Sequence, residues 1–142
     1  MFNKGFTLIE LMVVVAIVGL LTTIVLVNTQ NTRFKAHDAN IQSLLHQVRN
    51  AAEFSYIQNK ETYDMICDPA DNSLINTGDL GTLEKAIQKE NNNQKVACLE
   101  SIDGKDFAAA SPLRSRQGKY WCVQAAGLSL ELDHQITTAI CQ

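Results

Sequence analysis

The stretch Gly5-Phe6-Thr7-Leu8-Ile9-Glu10, continuing from Leu11 through Val27, decides how the rest of the chain is read. From Phe6 onward about 22 residues are almost wholly apolar, enough to cross a bilayer as a helix. One full charge, Glu10, interrupts the run near its start. A carboxylate in a hydrocarbon-length helix is costly, so a lone acid there reads as functional. Ahead of it stand Met1-Phe2-Asn3-Lys4-Gly5, one positive charge and then a glycine. A secretory signal places a small-residue cleavage site after its apolar region. Here Val27 runs directly into Asn28-Thr29-Gln30-Asn31, so the apolar segment is expected to stay with the mature protein.

Beyond Val27 the helical pattern continues with a different character. Ile41, Leu44, Leu45, Val48, Ala51 and Ala52 recur at steps of three and four, which places them on one helical face. Gln42, His46, Arg49, Asn50 and Glu53 occupy the opposite side. No proline or glycine stands between Leu20 and Asn59, so one helix is predicted from about Phe6 to about Gln58. At 1.5 Å per residue it would be roughly 80 Å long. Its second half offers a stripe for a small sheet to cover. Its first half has no partner within a monomer, and must sit in lipid or among copies of the same chain.

The remaining length suits one small domain. A net charge of −3 supplies no global field to attract nucleic acid. Residues 61–93 read as irregular, with loop chemistry in Cys67-Asp68-Pro69-Ala70-Asp71-Asn72. Leu80, Leu83 and Ile87 fit one face of a short helix capped by Asp79 or Thr82 and ended by Asn91-Asn92-Asn93. Past Gln94 the period becomes two. A strand is expected around Val96–Leu99, then a turn at Asp103-Gly104 and a weaker strand from Asp106 to Ala110, closed by Pro112. Lys119–Val123 is the strongest strand signal; Ala126-Gly127 turns it into the alternating Leu128–Leu132, and Ile136–Cys141 forms a tail. The fold class is therefore α+β: a long N-terminal helix packed on an antiparallel sheet of about four strands, a ladle with the helix as handle.

Four cysteines in a small domain beyond an apolar segment point to an oxidising compartment and two disulfides. Three pairings exist. The expected set is Cys67–Cys98, tying the irregular loop to the sheet, and Cys122–Cys141, pinning the tail to the aromatic strand.

Catalytic patterns are missing: there is no Gly-x-Ser-x-Gly, phosphate loop, His-Glu-x-x-His or Cys-x-x-Cys, and an enzyme is not expected. No cofactor or metal is expected either. His37 and His46 stand nine apart, which is no metal-pair spacing, and read as solvated; Asp38 is in reach of Lys35. The acids around Cys67 lack the alternate-ligand spacing of a calcium loop. Arg114, Arg116 and Lys119 beside Tyr120 and Trp121 offer a DNA contact as the minor reading. Solvated surface for the cations and sheet core for the rings is the major one.

Lys4-Gly5-Phe6-Thr7-Leu8-Ile9-Glu10-Leu11 resembles the class III signal of type IV pilins and of the pseudopilins of type II secretion systems. The resemblance covers about the first 30 residues. It implies a leader at 1–5, cleavage between Gly5 and Phe6 by a prepilin peptidase, and N-methylation of Phe6. It further implies a transmembrane or filament-core helix at 6–28, an amphipathic continuation at 29–60 and a globular head at 61–142. Glu10 is expected to meet the new amino group of Phe6 on a neighbouring subunit and so set axial register. Tyr120-Trp121-Cys122, the alanine-rich strand before it and Cys141 resemble pilin heads as well. Val27 stands where many members carry a proline, and Gly19 is the one helix-weakening residue of the span. The implied function is a structural subunit of a type IV pilus, a major pilin first, with a pseudopilin or a minor or competence pilin as the alternative. A membrane-anchored binding domain is the reading from a different class. Implied partners are copies of the chain, the peptidase, an assembly ATPase, a platform protein and the inner membrane that holds the single-pass precursor before the extracellular filament forms.

Overall fold

The computed structural model describes residues 5–142, with the side chains of residues 25–28 excepted. The expected leader residues Met1 to Lys4 and the side chain of Val27 thus lie outside the described residues. The chain divides into two compact units, Met1–Phe34 and Lys35–Gln142. Helix α1, Leu8–Gln58, contributes to both.

In the first unit α1 is a bare apolar surface. Leu8, Leu11, Met12, Val15, Leu20, Leu21 and Ile24 are all exposed, as is Phe6 just before the helix. Thr22 and Thr23 turn their hydroxyls inward and donate to the carbonyls of Val18 and Gly19, so neither presents an unmet polar group to an apolar surrounding. The helix begins two residues later than the sequence pattern suggests, because Thr7 serves as its N-cap.

In the second unit the same helix becomes amphipathic. Ile41, Leu45, Val48 and Ala52 are fully buried at steps of three and four. They meet Cys98, Phe107, Ala109 and Val123 from the sheet, Val96 just before it, and Leu80 and Ile87 from helix α2 (Gly78–Glu90). Stability here comes from this burial, since helix propensity alone leaves isolated helices marginal.

The sheet is an antiparallel meander of six strands in sequence order: β1 Cys67–Asp68, β2 Ser73–Leu74, β3 Ala97–Glu100, β4 Phe107–Pro112, β5 Tyr120–Gln124 and β6 Ser129–Leu132. Four were expected; the two additions are two-residue strands in the stretch read as irregular loop. They are too short for a period-two signal, and β1 is tied to β3 by Glu100, whose Oε1 accepts from the amides of Ile66 at 2.7 Å and Cys67 at 2.6 Å. The main register aligns Ala109 with Val123 and Ala110 with Cys122. Pro112 is the last residue of β4, opposite Tyr120, rather than a stop beyond it.

Both faces of the sheet are covered. Period-two alternation sends Ala109, Val123 and Phe107 toward α1, and Ala108, Ala110 and Cys122 to the other side. There they meet Leu132, Ile136 and Cys141, so the C-terminal tail roofs the face that α1 does not reach. Cys141 N–H donates to the Gln124 side-chain oxygen at 2.9 Å.

Helix α2 starts at Gly78 with Thr77 as N-cap, two residues before the Asp79 and five before the Thr82 suggested by sequence. The early start follows from Gly81: a Cβ there would stand 2.4 Å from the Asn76 carbonyl carbon, so the entering chain lies on the helix where a side chain would be. Asn91 is the C-cap, and Asn92 and Asn93 adopt positive φ, which asparagine tolerates better than most residues. Gly104, at φ +65°, makes the turn between β3 and β4 and gives its carbonyl to Tyr63 N–H at 2.8 Å.

Candidate assembly interface

The acid singled out by sequence sits in the first turn of α1. Thr7 Oγ1 accepts from the Glu10 amide at 3.3 Å. In return Glu10 Oε2 accepts from the Thr7 amide at 2.9 Å and from the Thr7 hydroxyl at 2.7 Å. This is a reciprocal capping box: two amides that the first turn would leave unmet are satisfied by the pair. The signal was in the sequence, since Thr7 stands three residues before Glu10 and directly before an apolar run, yet the acid was read for its charge alone. Thr7 is the residue that reading missed. Among the described residues Glu10 Oε1 accepts nothing, so half of the carboxylate remains available.

Gly5 and Phe6 precede the cap. A Cβ on Gly5 would meet nothing within 4 Å, so packing within the chain does not demand a glycine. The same holds for Gly19, in mid-helix. The apolar side chains following Glu10 present themselves all round the helix, and α1 contains a window long and apolar enough to cross a membrane.

The other candidates resolve into structural roles. Cys67 is joined to Cys98 and Cys122 to Cys141, and no cysteine is free among the described residues. The three-cation patch is not bare: Arg116 meets Glu131 at 2.5 Å, Lys119 pairs with Asp133, and Arg114 Nη1 donates to the Glu90 carbonyl at 3.2 Å. Phosphate would compete there with built-in carboxylates. Trp121 packs against the core that α1 covers.

His37 and Asp38 part from expectation. His37 Nδ1 lies 2.7 Å from Glu90 Oε2 and holds the Glu90 carboxyl below its usual range. Asp38 does not pair with Lys35. It is 6% exposed and accepts from the Arg114 amide at 2.6 Å and the Ser115 amide at 3.1 Å, and from the Ser115 hydroxyl. Two successive α1 residues thus fasten the end of α2 and the loop between β4 and β5. No one-dimensional pattern announces such bonds, which span more than 50 residues. No group of three metal-ligating side chains occurs among the described residues. Glu84 is a buried acid that sequence reading passed over. It is 1% exposed, its Oε1 accepts from Gln88 Nε2 at 2.9 Å, and Oε2 has no partner among the described residues; burial pushes its carboxyl up.

A capped acid at the head of an exposed apolar helix, and a covered, doubly stapled sheet packed on the continuation of that helix, define an α+β class with one apolar end left uncovered. The profile of the prokaryotic N-terminal methylation motif matches residues 1–26. The chain is 29% identical over 140 residues to a type IV major fimbrial protein FimA of Dichelobacter nodosus, covering 84% of this chain and 87% of that one. A second such protein of that organism is 42% identical over 62 residues, or 44% of this chain and 40% of the relative. A fimbrial protein of Pseudomonas aeruginosa is 30% identical over 102 residues, or 72% and 63%. In two of these three the chain spans less than two thirds of the relative's length. No solved structure gives a significant match. By motif and relatives together, the chain is similar to type IV fimbrial proteins.

Proposed function

We propose that this chain is a structural subunit of a type IV pilus, a major pilin, held in the inner membrane as a single-pass precursor and extracellular once assembled. The observation that carries the reading is the apolar first half of α1, exposed from Leu8 to Ile24 and carrying Glu10 in its first turn, shortly after the Gly5–Phe6 junction. Hydrolysis of the Gly5–Phe6 bond by a prepilin peptidase frees the α-amino group of Phe6, which is then methylated. The open space at Gly5 supports this role, because what calls for a glycine there is an outside agent that must approach the backbone. In the filament, Glu10 meets the Phe6 amino group of a neighbouring subunit. Pairing removes two buried charges together, and a misregistered neighbour would leave both in an apolar surrounding. The Thr7 cap supports this too: it occupies Oε2 and leaves Oε1 for the incoming cation. Extrusion falls to an assembly ATPase and a platform protein, and no catalysis is assigned to the chain itself.

The test is a Glu10→Ala chain expressed in its own cells, scored by electron microscopy of sheared fractions against immunoblots of membranes. The expected result is normal membrane levels with filaments lost. Wild-type filament numbers from this variant would remove Glu10 as the register device. A wild-type chain that yields no sheared filaments would point to a pseudopilin.

A further inference from the structure

The unit Lys35–Gln142 carries opposite charge at its two poles. The near pole, where α1 begins this unit, includes Lys35, the end of α2 and the loop between β4 and β5, gathered by the bonds of His37 to Glu90 and of Asp38 to Ser115. The acids there are spoken for within the chain: Asp38 by the loop amides, Glu90 by His37, Glu131 by Arg116 and Asp133 by Lys119. Lys35 and Lys89 are exposed and belong to no ion pair among the described residues. This pole is left cationic.

The far pole, where α1 stops at Gln58, is the reverse. It gathers the segment after α1, the start of α2 and the turn between β3 and β4, held together by Tyr63 N–H on the Gly104 carbonyl and Lys105 Nζ on the Glu61 carbonyl. Glu61, Asp64, Asp79, Asp103 and Asp106 are exposed here against only Lys60 and Lys105, and none of the five is in an ion pair among the described residues. The same pole exposes Phe54, Ile57, Met65 and Ile102, large apolar side chains that a soluble surface has no use for in a group. Phe54 and Met65 edge a groove of about 600 Å³ floored by Ile75 and Leu80. Apolar centre and charged rim is the anatomy of a protein contact.

We propose that the far pole of one copy of this chain docks on the near pole of the next, the acids Glu61 and Asp64 facing the lysines Lys35 and Lys89. The inference rests on the filament reading and adds a head-to-head-unit contact to the one made by the apolar helix. Two different patches on one chain form a heterologous contact, which does not close on itself unless its rotation happens to form a ring, and otherwise propagates. A single chain therefore holds both halves of the joint. Complementary charge fixes which copy faces which, and like charge brought face to face opposes docking. The four charged residues are exposed and unpaired, so reversing them spares the core.

The test uses full-length chain in its own cells. Zero-length carbodiimide cross-linking of sheared wild-type filaments, followed by peptide mass spectrometry, is expected to join Lys35 or Lys89 of one copy to Glu61 or Asp64 of another. In parallel, Lys35→Glu with Lys89→Glu, and separately Glu61→Lys with Asp64→Lys, are each expected to lower filament yield about tenfold or more at unchanged membrane level. A chain carrying all four reversals is expected to regain filaments. Cross-links confined to other pairs, wild-type yield from either reversed pole, or no recovery in the fourfold variant would each overturn the contact. Absence of filaments from the wild-type chain would instead undo the pilus reading on which it rests.

Discussion

At the residue scale the decisive side chains are two acids, Glu10 on an exposed apolar helix and Glu84 in the core. Glu10 was visible in the sequence as a charge out of place, and Thr7 was not noticed, although the spacing of the two is a helix-start signature. Replacing Thr7 by Val keeps the shape of the side chain and removes the cap, which costs about 0.5–2 kcal/mol in typical helices. The expected outcome is an intact head, unchanged in thermal melting, with filament yield reduced less than in Glu10→Ala; yield equal to wild type would mean that the cap does not orient the carboxylate. Glu84 is a second case and invisible in sequence, because a Glu in the middle of a short helix normally faces solvent. Its folded-state carboxyl is pushed up by burial, so it favours the fold fully below its unfolded pKa of about 4.3, and that contribution is lost as pH rises through the folded value. Glu84→Gln removes the titration and should therefore flatten the contribution of this group to the acid-to-neutral change in melting temperature. Denaturation followed from pH 4 to pH 8 checks this; an unchanged slope would mean that Oε2 reaches water. Glu90 runs the other way. Its carboxyl is held down by His37, so its contribution is present above the unfolded pKa and lost as pH falls through the folded one.

At the scale of elements, α1 shows what a sequence can and cannot say. Its length and the face carrying Ile41, Leu45 and Val48 follow from periodicity, because a helix that buries one stripe must repeat it every three or four residues. Ile41→Ala should cost about 2–5 kcal/mol, as it opens a cavity among side chains already fully buried, and urea unfolding would measure it. The strands β3 to β6 were legible for the same reason, whereas β1 and β2 were not, being too short to alternate. The pinning of the tail to β5 was legible from Cys122 and Cys141, whereas the roof it makes with Ile136 over the outer sheet face was not, because the tail has no regular period. It is held by Ile136, Cys141 and a disulfide of sequence separation 19. Cys122→Ser with Cys141→Ser should lose about 3 kcal/mol by chain-entropy reasoning and expose the alanine face of β4, read as lower melting temperature with new binding of a hydrophobic dye. Unchanged dye binding would mean that the tail stays seated without its staple.

At the scale of the whole molecule, the chain is two units with opposite demands. One exposes apolar surface that only lipid or other copies can cover, and the other completes its own core. The sequence revealed the first demand outright, since a hydrocarbon-length run has few structural meanings. The axial charge separation of the second was hidden, because its acids and lysines are scattered along the chain and meet only in the fold. Gly5→Leu should leave the head folded and the chain in the membrane, yet stop processing; mass spectrometry of the N-terminal peptide decides, and a mature chain beginning at Phe6 from this variant would refute it. The roofed sheet carries one more consequence, for the order of folding. The inner face meets a helix that is already continuous, while the outer face waits for residues far along the chain and for a thiol pair to oxidise. Closing non-local contacts is slow, and disulfide formation takes seconds to hours. Maturation of the head is then a two-stage process, a fast collapse onto α1 and a late, oxidant-dependent sealing, and a pulse of reductant during synthesis should trap the first stage without the second.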